Sequence, residues 1–351
     1  MRWSNRAGRW RWAGALVVAG LVAVAVWWLW ARRGGVDWGL LWRTLRTFKG
    51  GWITASCILA LLTYMGRALR WQILLKPVRS RSSLWGLFTA TAIGFSAIVL
   101  FGRPGEMVRP YLIAMKEDVS FSSQVGAWFL ERVYDLLMAL LIFGLALSQV
   151  HASGAMVGEP IRWILEIGGT VVVVAAGVCL MFLMAARLFS ATMRQRMLGI
   201  VSIVPERYKS RISRTVGAFT DGMGSTRSSK YVIIVLLYSV LEWALIILCY
   251  YCIFQASPET NRFKLIDVLI FVGFVSFGAV VQIPGIGGGL QVVSIVVLTE
   301  LFGLALEVSA GVAMVIWAIT FVVIVPFGLV LAFREGLDWR RLKSLAREVP
   351  S

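Results

Sequence analysis

The stretch SAIVLFGRPGEMVRP, from Ser96 to Pro110, interrupts a long apolar run and decides how the rest of the chain is interpreted. The run begins near Leu84 and has the composition of a membrane helix, but Gly-Arg-Pro-Gly at 102–105 stops it. Proline lacks an N–H and fits the first position of a new helix. The stretch is therefore typical of a helix that is broken inside a bilayer. The alternative is an ordinary loop whose charges lie in water at the headgroups.

Three ionisable side chains lie at and just after the break, at intervals of three residues. Arg103, Glu106 and Arg109 would lie roughly on one face of a helix. Backbone N–H groups at the start of that helix, together with its dipole, favour an anion. Ionisable groups at membrane depth are costly and suggest a function by default. We therefore expect an anion-binding site at the break.

The composition is that of a polytopic membrane protein. Hydrophobic residues make up 59% of the 351, mean hydropathy is +0.79, and only 15% of the residues are charged. The formal net charge of +17 suggests nucleic acid at first, but the lysines and arginines gather in short segments between apolar runs. Such segments are typical of cytoplasmic flanks that face anionic lipid, so we expect a membrane partner and no nucleic acid.

Metal and histidine chemistry are disfavoured by the few residues that could carry them. The chain has one histidine, His151, and its four cysteines all lie inside apolar stretches. Cys249-Tyr-Tyr-Cys252 has metal-like spacing, but no second pair accompanies it, so small apolar packing is the better interpretation. We expect no metal, no cofactor and no catalytic residue.

Apolar runs and basic loops together predict an all-α polytopic membrane protein with about six full spans and two broken, re-entrant hairpins, or eight spans if the hairpin arms are counted. Basic residues place both termini in the cytoplasm. The predicted parts are 1–51, a first span and interfacial segment; 52–147, a first repeat with a hairpin broken at 102–110; 148–230, a connecting span and a basic cytoplasmic amphipathic segment; 231–333, a second, inverted repeat with a hairpin broken at 284–289; and 334–351, a basic cytoplasmic tail.

The inverted repeat is predicted from a weak internal similarity and from topology. Ser96 precedes Pro104-Gly105 by eight residues, and Ser276 precedes Pro284-Gly285 by the same interval. The basic loops require the first hairpin to begin and end inside and the second to begin and end outside. Two breaks that meet near the midplane are expected of alternating-access transporters. The alternative is that both hairpins are full spans joined by tight loops, with no shared cavity.

Two further spans carry charges that need partners. Glu131 and Asp135 share one helix face, and Arg132 can pair with a neighbour. Arg67 and Arg70 lie near the inner end of the second span, where we expect them to be nearer the inner mouth of a cavity. The Glu131-Arg132-Asp135 group is either a structural ion network or a site that binds a proton or a cationic headgroup, and the two roles can coexist.

Four motifs, taken in order, resemble a known family. They are Arg67-Ala-Leu-Arg70-Trp71, Gly102-Arg103-Pro104-Gly105-Glu106-x-x-Arg109, Glu131-Arg132-x-x-Asp135 and Pro284-Gly285-Ile286-Gly287. Their order and spacing resemble the lysylphosphatidylglycerol synthase transmembrane region, a flippase-like family also called UPF0104, over about Trp52 to Phe333. The resemblance implies an integral membrane module for lipid translocation. In its best-known bifunctional member it moves an aminoacylated phospholipid made by a separate soluble domain, and other members are tied to polyprenyl-linked sugars or hopanoids.

The chain departs from the family pattern in its second half. Gln291 stands where the family often has an acidic residue, and Trp317 or its neighbours stand where it often has an arginine. Glu242 would then be the remaining acid at membrane depth in this half.

Our interpretation is a flippase-like transporter that moves a lipid with a phosphate-containing headgroup across a bacterial or archaeal cytoplasmic (inner) membrane. The expected ligand is an anionic phospholipid or a polyprenyl-phosphate-type lipid, and a homodimer or a lipid-modifying partner enzyme stays open. A membrane-embedded lipid or polyprenyl-phosphate transferase and a scaffold that uses the basic segment 187–230 are the rivals. The candidate substrate-binding residues are Arg103, Glu106, Arg109, Glu131, Arg132, Asp135, Arg67, Arg70, Glu242, Pro284, Gly285, Gly287 and Gln291.

Overall fold

The computed structural model describes residues 37–153, 159–188, 206–278, 282–283 and 287–336. The first span that we predicted at 13–31, the break residues Pro284 and Gly285, and the tail from 337 onward lie outside these residues. Nearly all of the described chain is helical, which confirms the predicted all-α class. The helices are α1 Trp38–Arg46, α2 Gly50–Leu75, α3 Leu84–Phe101, α4 Val108–Glu117, α5 Phe121–Ser153, α6 Glu159–Leu188, α7 Glu206–Gly222, α8 Ser229–Ala256, α9 Leu265–Gly278, α10 Gly289–Glu300, α11 Leu306–Trp317 and α12 Ile324–Arg334.

Six stretches within the described residues are long and apolar enough to cross a membrane. Five of them are predicted full spans: α2, α5, α6, α8 and the pair α11–α12. The sixth is α3, which we had treated as one arm of a re-entrant hairpin. Its 18 residues are as long as a short span, whereas the returning helix α4 has only 10. The first hairpin is therefore asymmetric, with one long arm and one short arm.

The break of the first hairpin forms a sharp reversal. Gly102 has φ +72°, a value that favours glycine, and Arg103–Met107 then form a 3₁₀ turn before α4 begins. The return runs close against α3, because a Cβ added at Gly105 would lie 2.4 Å from the Ala97 carbonyl oxygen. The two ends of the hairpin meet where the Ser83 N–H donates to Glu117 Oε1 at 3.0 Å. The helices α3 and α4 thus form a helical hairpin whose two ends lie together.

The second hairpin consists of α9 and α10, which pack on each other. Between them lies a two-residue antiparallel ribbon of β1 (Gln282–Ile283) and β2 (Gly287–Gly288). The Gly288 N–H donates to Gln291 Oε1 at 2.7 Å, so Gln291 closes the start of α10. At the other end the Phe263 and Phe302 rings lie 4.7 Å apart, which joins the base of this hairpin.

The two hairpins enter the bundle from opposite ends. At the C-terminal end of α2, Arg79 Nε lies 3.1 Å from Glu117 Oε2 at the base of the first hairpin. At the N-terminal end of α2, the Lys49 N–H donates to the Ala256 carbonyl at 2.9 Å, beside the segment that leads into α9. Each hairpin packs on the last span of the other half: α3 on α12, and α9 on α5. The helices α2 and α8 form the central pair.

The final span is interrupted by a π-helical turn at Ala318–Val322. Such turns are frequent at functional sites. The Tyr64 hydroxyl donates to the Thr320 carbonyl at 3.0 Å, and the Ser96 hydroxyl donates to the Ile324 carbonyl at 3.2 Å. The turn therefore lies between α2 and the first hairpin.

The predicted basic amphipathic segment contains α7. A Cβ added at Gly222 would lie 1.8 Å from the Ser123 carbonyl oxygen, and one added at Gly126 would lie 2.3 Å from the Phe219 carbonyl oxygen. These close approaches require glycine and pack α7 tightly against the start of α5.

Candidate functional site

A cavity of about 520 Å³ lies where the two hairpins meet the central helices and the π turn. Its lining consists of charged side chains, here called the charged wall, and of aromatic and aliphatic side chains, here called the apolar wall. The two sets are in contact, since the Arg67 guanidinium lies 4.7 Å from the Phe95 ring centroid. The charged side chains that line it are Arg67, Arg103, Glu106, Arg109, Arg132 and Asp135, all of them predicted site residues. The aromatic and large apolar side chains that line it include Tyr64, Phe95, Trp128, Leu136, Trp243, Ile246, Val272, Val275, Leu290 and Phe321.

Arg70 is the centre of the ion network behind the charged wall. Its side chain is completely buried, and its Nη2 lies 2.7 Å from Glu131 Oε1 while its Nη1 lies 2.6 Å from Asp135 Oδ1. The same guanidinium donates to the Ser239 hydroxyl at 3.1 Å. The acids of α5 and the serine of α8 enclose Arg70, which is not among the residues that line the cavity.

Arg109 joins the first hairpin to this network. Its Nη1 lies 3.0 Å from Glu131 Oε2, and its Nη2 donates to the Arg67 carbonyl at 3.2 Å. The guanidinium also lies 4.1 Å from the centroid of the Trp71 ring, within the range of a cation–π contact. The Trp71 indole N–H in turn donates to Gln124 Oε1 at 3.0 Å. The arginine that follows the break is therefore fixed in position by α2 and α5.

Glu242 brings the second half of the chain into the site. Its Oε1 lies 2.7 Å from Arg67 Nη2, and its Oε2 lies 3.3 Å from Arg70 Nη2. The Glu242 side chain is 1% exposed, whereas the Arg67 side chain is 15% exposed and lies 4.7 Å from the Phe95 ring centroid. Arg67 thus faces the cavity and the buried acid at once.

Arg132 is the most open of the network arginines. Its side chain is 38% exposed, and its Nη2 lies 3.0 Å from Asp135 Oδ2 and 3.6 Å from Glu131 Oε2. The predicted pairing of Arg132 with a neighbour on its own helix is confirmed by the contact with Asp135, one turn away. Because the side chain lines the cavity, it can reach a ligand without leaving the network.

The 3₁₀ turn supplies Arg103 and Glu106, which are exposed and half-buried respectively. Both line the cavity together with Arg109, so the three charges of the break face one space. The turn has only five residues, so it has no long helix dipole. The charged side chains themselves, rather than a dipole, set the electrostatics of this part of the cavity.

The predicted site residues that surround the second Pro-Gly motif are not found at the cavity. Gln291 caps α10 and Gly287 pairs with Ile283 in the ribbon, and neither is among the residues that line the cavity. Pro284 and Gly285 lie outside the described residues. Within the described part of the chain, the second half contributes mainly apolar side chains to the cavity, together with Ser276 and Thr320.

Sequence reasoning missed the aromatic wall and the serine partner of Arg70. Tyr64, Phe95, Trp128 and Trp243 resemble ordinary membrane aromatics in the sequence, and no motif marks them. Ser239 precedes Glu242 by three residues on α8, so this polar pair in an apolar run was a usable signal.

The charges of the site nearly balance. Arg67, Arg70, Arg103, Arg109 and Arg132 face Glu106, Glu131, Asp135 and Glu242, which leaves one positive charge in excess. Buried acids and arginines stabilise a site only when they are paired. An excess of one positive charge suits a ligand that carries one negative charge.

The cysteines belong to the packing around the cavity. The Cys249 thiol donates to the Ser56 carbonyl at 3.3 Å, and Cys252 is buried. In the described ranges, no group of three or more histidine, cysteine, aspartate or glutamate side chains could hold a metal ion.

The family of the chain follows from its sequence as a whole. The family described as the lysylphosphatidylglycerol synthase TM region matches residues 12–328, so the chain belongs to this family and the predicted resemblance is confirmed. It is a multi-pass, lipid-related membrane protein. No curated protein and no solved structure matches the chain.

Proposed function

We propose that this member of the lysylphosphatidylglycerol synthase transmembrane family is a flippase-like transporter for a lipid with a phosphate-containing headgroup. The observation that carries the proposal is the cavity itself, which is lined by both charged and apolar side chains. A lipid presents the same two chemistries, because its headgroup is polar and its chains are hydrocarbon. We assign the charged wall to the headgroup and the apolar wall to the first part of the chains.

Phosphate is the headgroup element that the charged wall suits best. Arginine presents a planar fork of donors that matches phosphate oxygens, and Arg132 and Arg103 are the more open arginines of the wall. The excess of one positive charge matches one phosphodiester. Glu106 and Asp135 lie on the same wall and would accept the hydroxyl or amine groups of the remaining headgroup.

The size of the cavity supports binding of a headgroup rather than a whole lipid. A volume of about 520 Å³ lies within the range of small-molecule sites, roughly 300–1,000 Å³. The chains would then stay in the surrounding bilayer. Leu136 of α5 lines the cavity and is 41% exposed, so an open apolar side chain is available beside the headgroup site for the first part of a chain.

Movement across the membrane would use the two hairpins. They enter from opposite ends and meet at the cavity, as an inverted repeat of 52–147 and 231–333 would require. We propose that rocking of one half against the other exposes the headgroup site to each leaflet in turn. We propose further that the protein lies in the cytoplasmic membrane with both termini inside.

The test is translocation in proteoliposomes with a fluorescent phosphatidylglycerol and a dithionite quench. We expect the parent to move the labelled lipid faster than empty liposomes, and Arg132→Gln to lose most of this rate. The matched control is Arg81→Gln, which changes the same chemistry at an exposed loop position. A fluorescent glucosylceramide, which lacks phosphate, should remain at the rate of empty liposomes.

Equal rates in the parent and in empty liposomes would contradict the transporter proposal for phosphodiester lipids. Equal rates in the parent and in Arg132→Gln would contradict the placement of the headgroup. Transport of glucosylceramide at the same rate would contradict recognition through phosphate.

A further inference from the structure

We propose that Glu242 takes up a proton when the lipid phosphate binds, so that the protein moves its anionic lipid together with a proton. This inference rests on the proposed function and adds the coupling ion. It follows from the way in which Glu242, Arg67 and Arg70 share their charges.

The acids of the network are held in different ways. Glu131 accepts hydrogen bonds from Arg70 at 2.7 Å and from Arg109 at 3.0 Å, and Asp135 accepts one from Arg70 at 2.6 Å. Neither oxygen of Glu242 receives a hydrogen bond of acceptable geometry from the described residues. Its charge is supported only by the proximity of two guanidinium groups, so it is the acid that loses least on protonation.

Arg67 is the partner of Glu242 for which a ligand in the cavity can compete. Its side chain lines the cavity, and within the described residues its one ion pair is the contact with Glu242. A phosphate in the cavity would compete with Glu242 for this guanidinium. Arginine binds phosphate through two parallel hydrogen bonds, which is a better geometry than the contact that Glu242 offers.

Arg70 cannot replace Arg67 as the counter-charge. It lies 3.3 Å from Glu242 and already contacts Glu131 and Asp135 more closely. These two acids of α5 and the two arginines of α2 are the charged groups that face Glu242 in the described chain. When Arg67 turns to the phosphate, Glu131 keeps Arg109 and Asp135 keeps Arg132, whereas Glu242 would be left with Arg70 alone, which it shares with both of these acids.

A proton from the solvent restores the balance. A buried carboxylate without a partner is costly, and the neutral acid removes this cost. The anion adds one negative charge and the proton adds one positive charge, so the total charge of the site does not change. Lipid and proton then bind with positive coupling, each raising the affinity for the other.

The experiment is calorimetric titration of the full chain in detergent with dioctanoyl phosphatidylglycerol, at one pH in several buffers of different ionisation enthalpy. The dependence of the heat on the buffer measures the protons taken up. We expect about one proton per lipid for the parent and none for Glu242→Gln, which should still bind. The control Glu259→Gln, at an exposed loop position, should behave as the parent.

A second variant keeps the test informative if Glu242→Gln does not fold. In Arg67→Gln, Glu242 has lost its nearest guanidinium before any lipid is added, so we expect it to be protonated already and the uptake to disappear. Sn-glycero-3-phosphoglycerol is the same headgroup without chains. It should bind more weakly than the lipid but take up the same number of protons per bound molecule.

Binding by the parent without buffer dependence would overturn the inference and leave the proposed function intact. Uptake that persists in Glu242→Gln would overturn the assignment to this residue. Binding of the free headgroup without a proton would overturn the assignment of the trigger to phosphate. If the parent binds neither probe, the proposed function fails, and the inference fails with it.

Discussion

Replacement of Arg70 by glutamine is the most direct test of the buried ion network. The side chain is completely buried and contacts Glu131, Asp135 and Glu242. Glutamine keeps part of the volume and some hydrogen bonding but removes the charge that the three acids share. We expect a folded but clearly less stable protein.

The size of the effect follows from what each acid retains. Removing one partner of a buried ion pair costs about 3–5 kcal/mol. Glu131 keeps Arg109 at 3.0 Å and Asp135 keeps Arg132 at 3.0 Å, so we place the cost at the lower end, about 3 kcal/mol. Each kcal/mol lowers the melting temperature of a chain of this size by about 2 °C, which predicts a loss of about 6 °C.

Thermal unfolding in detergent, followed with a thiol-reactive dye, measures this loss because Cys249 and Cys252 are buried in α8 and react on unfolding. Arg81→Gln is the control and should melt within about 1 °C of the parent, as expected of an exposed charge. A double-mutant cycle of Arg70→Gln with Glu131→Gln should give a coupling of at least about 1 kcal/mol. If Arg70→Gln melts no lower than Arg81→Gln, the reasoning about the buried network is refuted.

Three other substitutions test separate parts of the structure. Gly105→Ala should lower expression and the melting temperature, because its Cβ would lie 2.4 Å from a backbone oxygen of α3. The control Gly66→Ala, whose Cβ would have nothing within 4 Å, should be neutral or stabilising by up to about 1 kcal/mol. A lower melting temperature for Gly66→Ala than for Gly105→Ala would contradict the hairpin packing. Arg132→Gln should weaken binding of dioctanoyl phosphatidylglycerol by about tenfold or more with a melting temperature within about 2 °C of the parent, and unchanged affinity in titration calorimetry would contradict its role. Tyr64→Phe should cost about 1 kcal/mol by removing the hydrogen bond to the Thr320 carbonyl, measured by thermal unfolding, and an unchanged melting temperature would contradict that contact.

Much of the first half of the site could be predicted from the sequence because its signals are local. Gly102 and Pro104 mark the break by their backbone properties, and charged residues in an apolar run are rare enough to notice. Arg103, Glu106 and Arg109 lie at and just after the break, at a spacing that brings all three to one cavity. These inferences need no knowledge of distant contacts.

The pairing within the network could not be predicted, because it joins residues far apart in sequence. Arg70 meets Glu131 across 61 residues and Asp135 across 65. The sequence shows that the acids need partners, but several arginines were available. The fold decides the pairing, and it encloses Arg70 among the acids of α5 and the serine of α8.

The second half illustrates a different limit. Gln291 was a candidate ligand residue because of its place after the second Pro-Gly motif, yet its amide oxygen accepts the Gly288 N–H. A side chain that follows a helix start can serve the backbone or a ligand, and the sequence alone does not separate these roles. The π turn and the aromatic wall likewise arise from packing between helices rather than from any local pattern.

The position of Glu242 suggests why binding and movement would be linked in this protein. Among the described residues, Glu242 joins the second half of the chain to the first at the cavity through ion pairs with Arg67 and Arg70 of α2. In the proposed rocking, a movement of α8 against α2 would lengthen these contacts, and a buried acid resists separation from its partners while it is charged. If phosphate takes Arg67 and a proton neutralises Glu242, both obstacles to that movement are removed in the same step. A site with lipid but no proton, or with a proton but no lipid, would keep one of these two obstacles and would not rock. Lipid and proton would then cross together, and neither would leak alone.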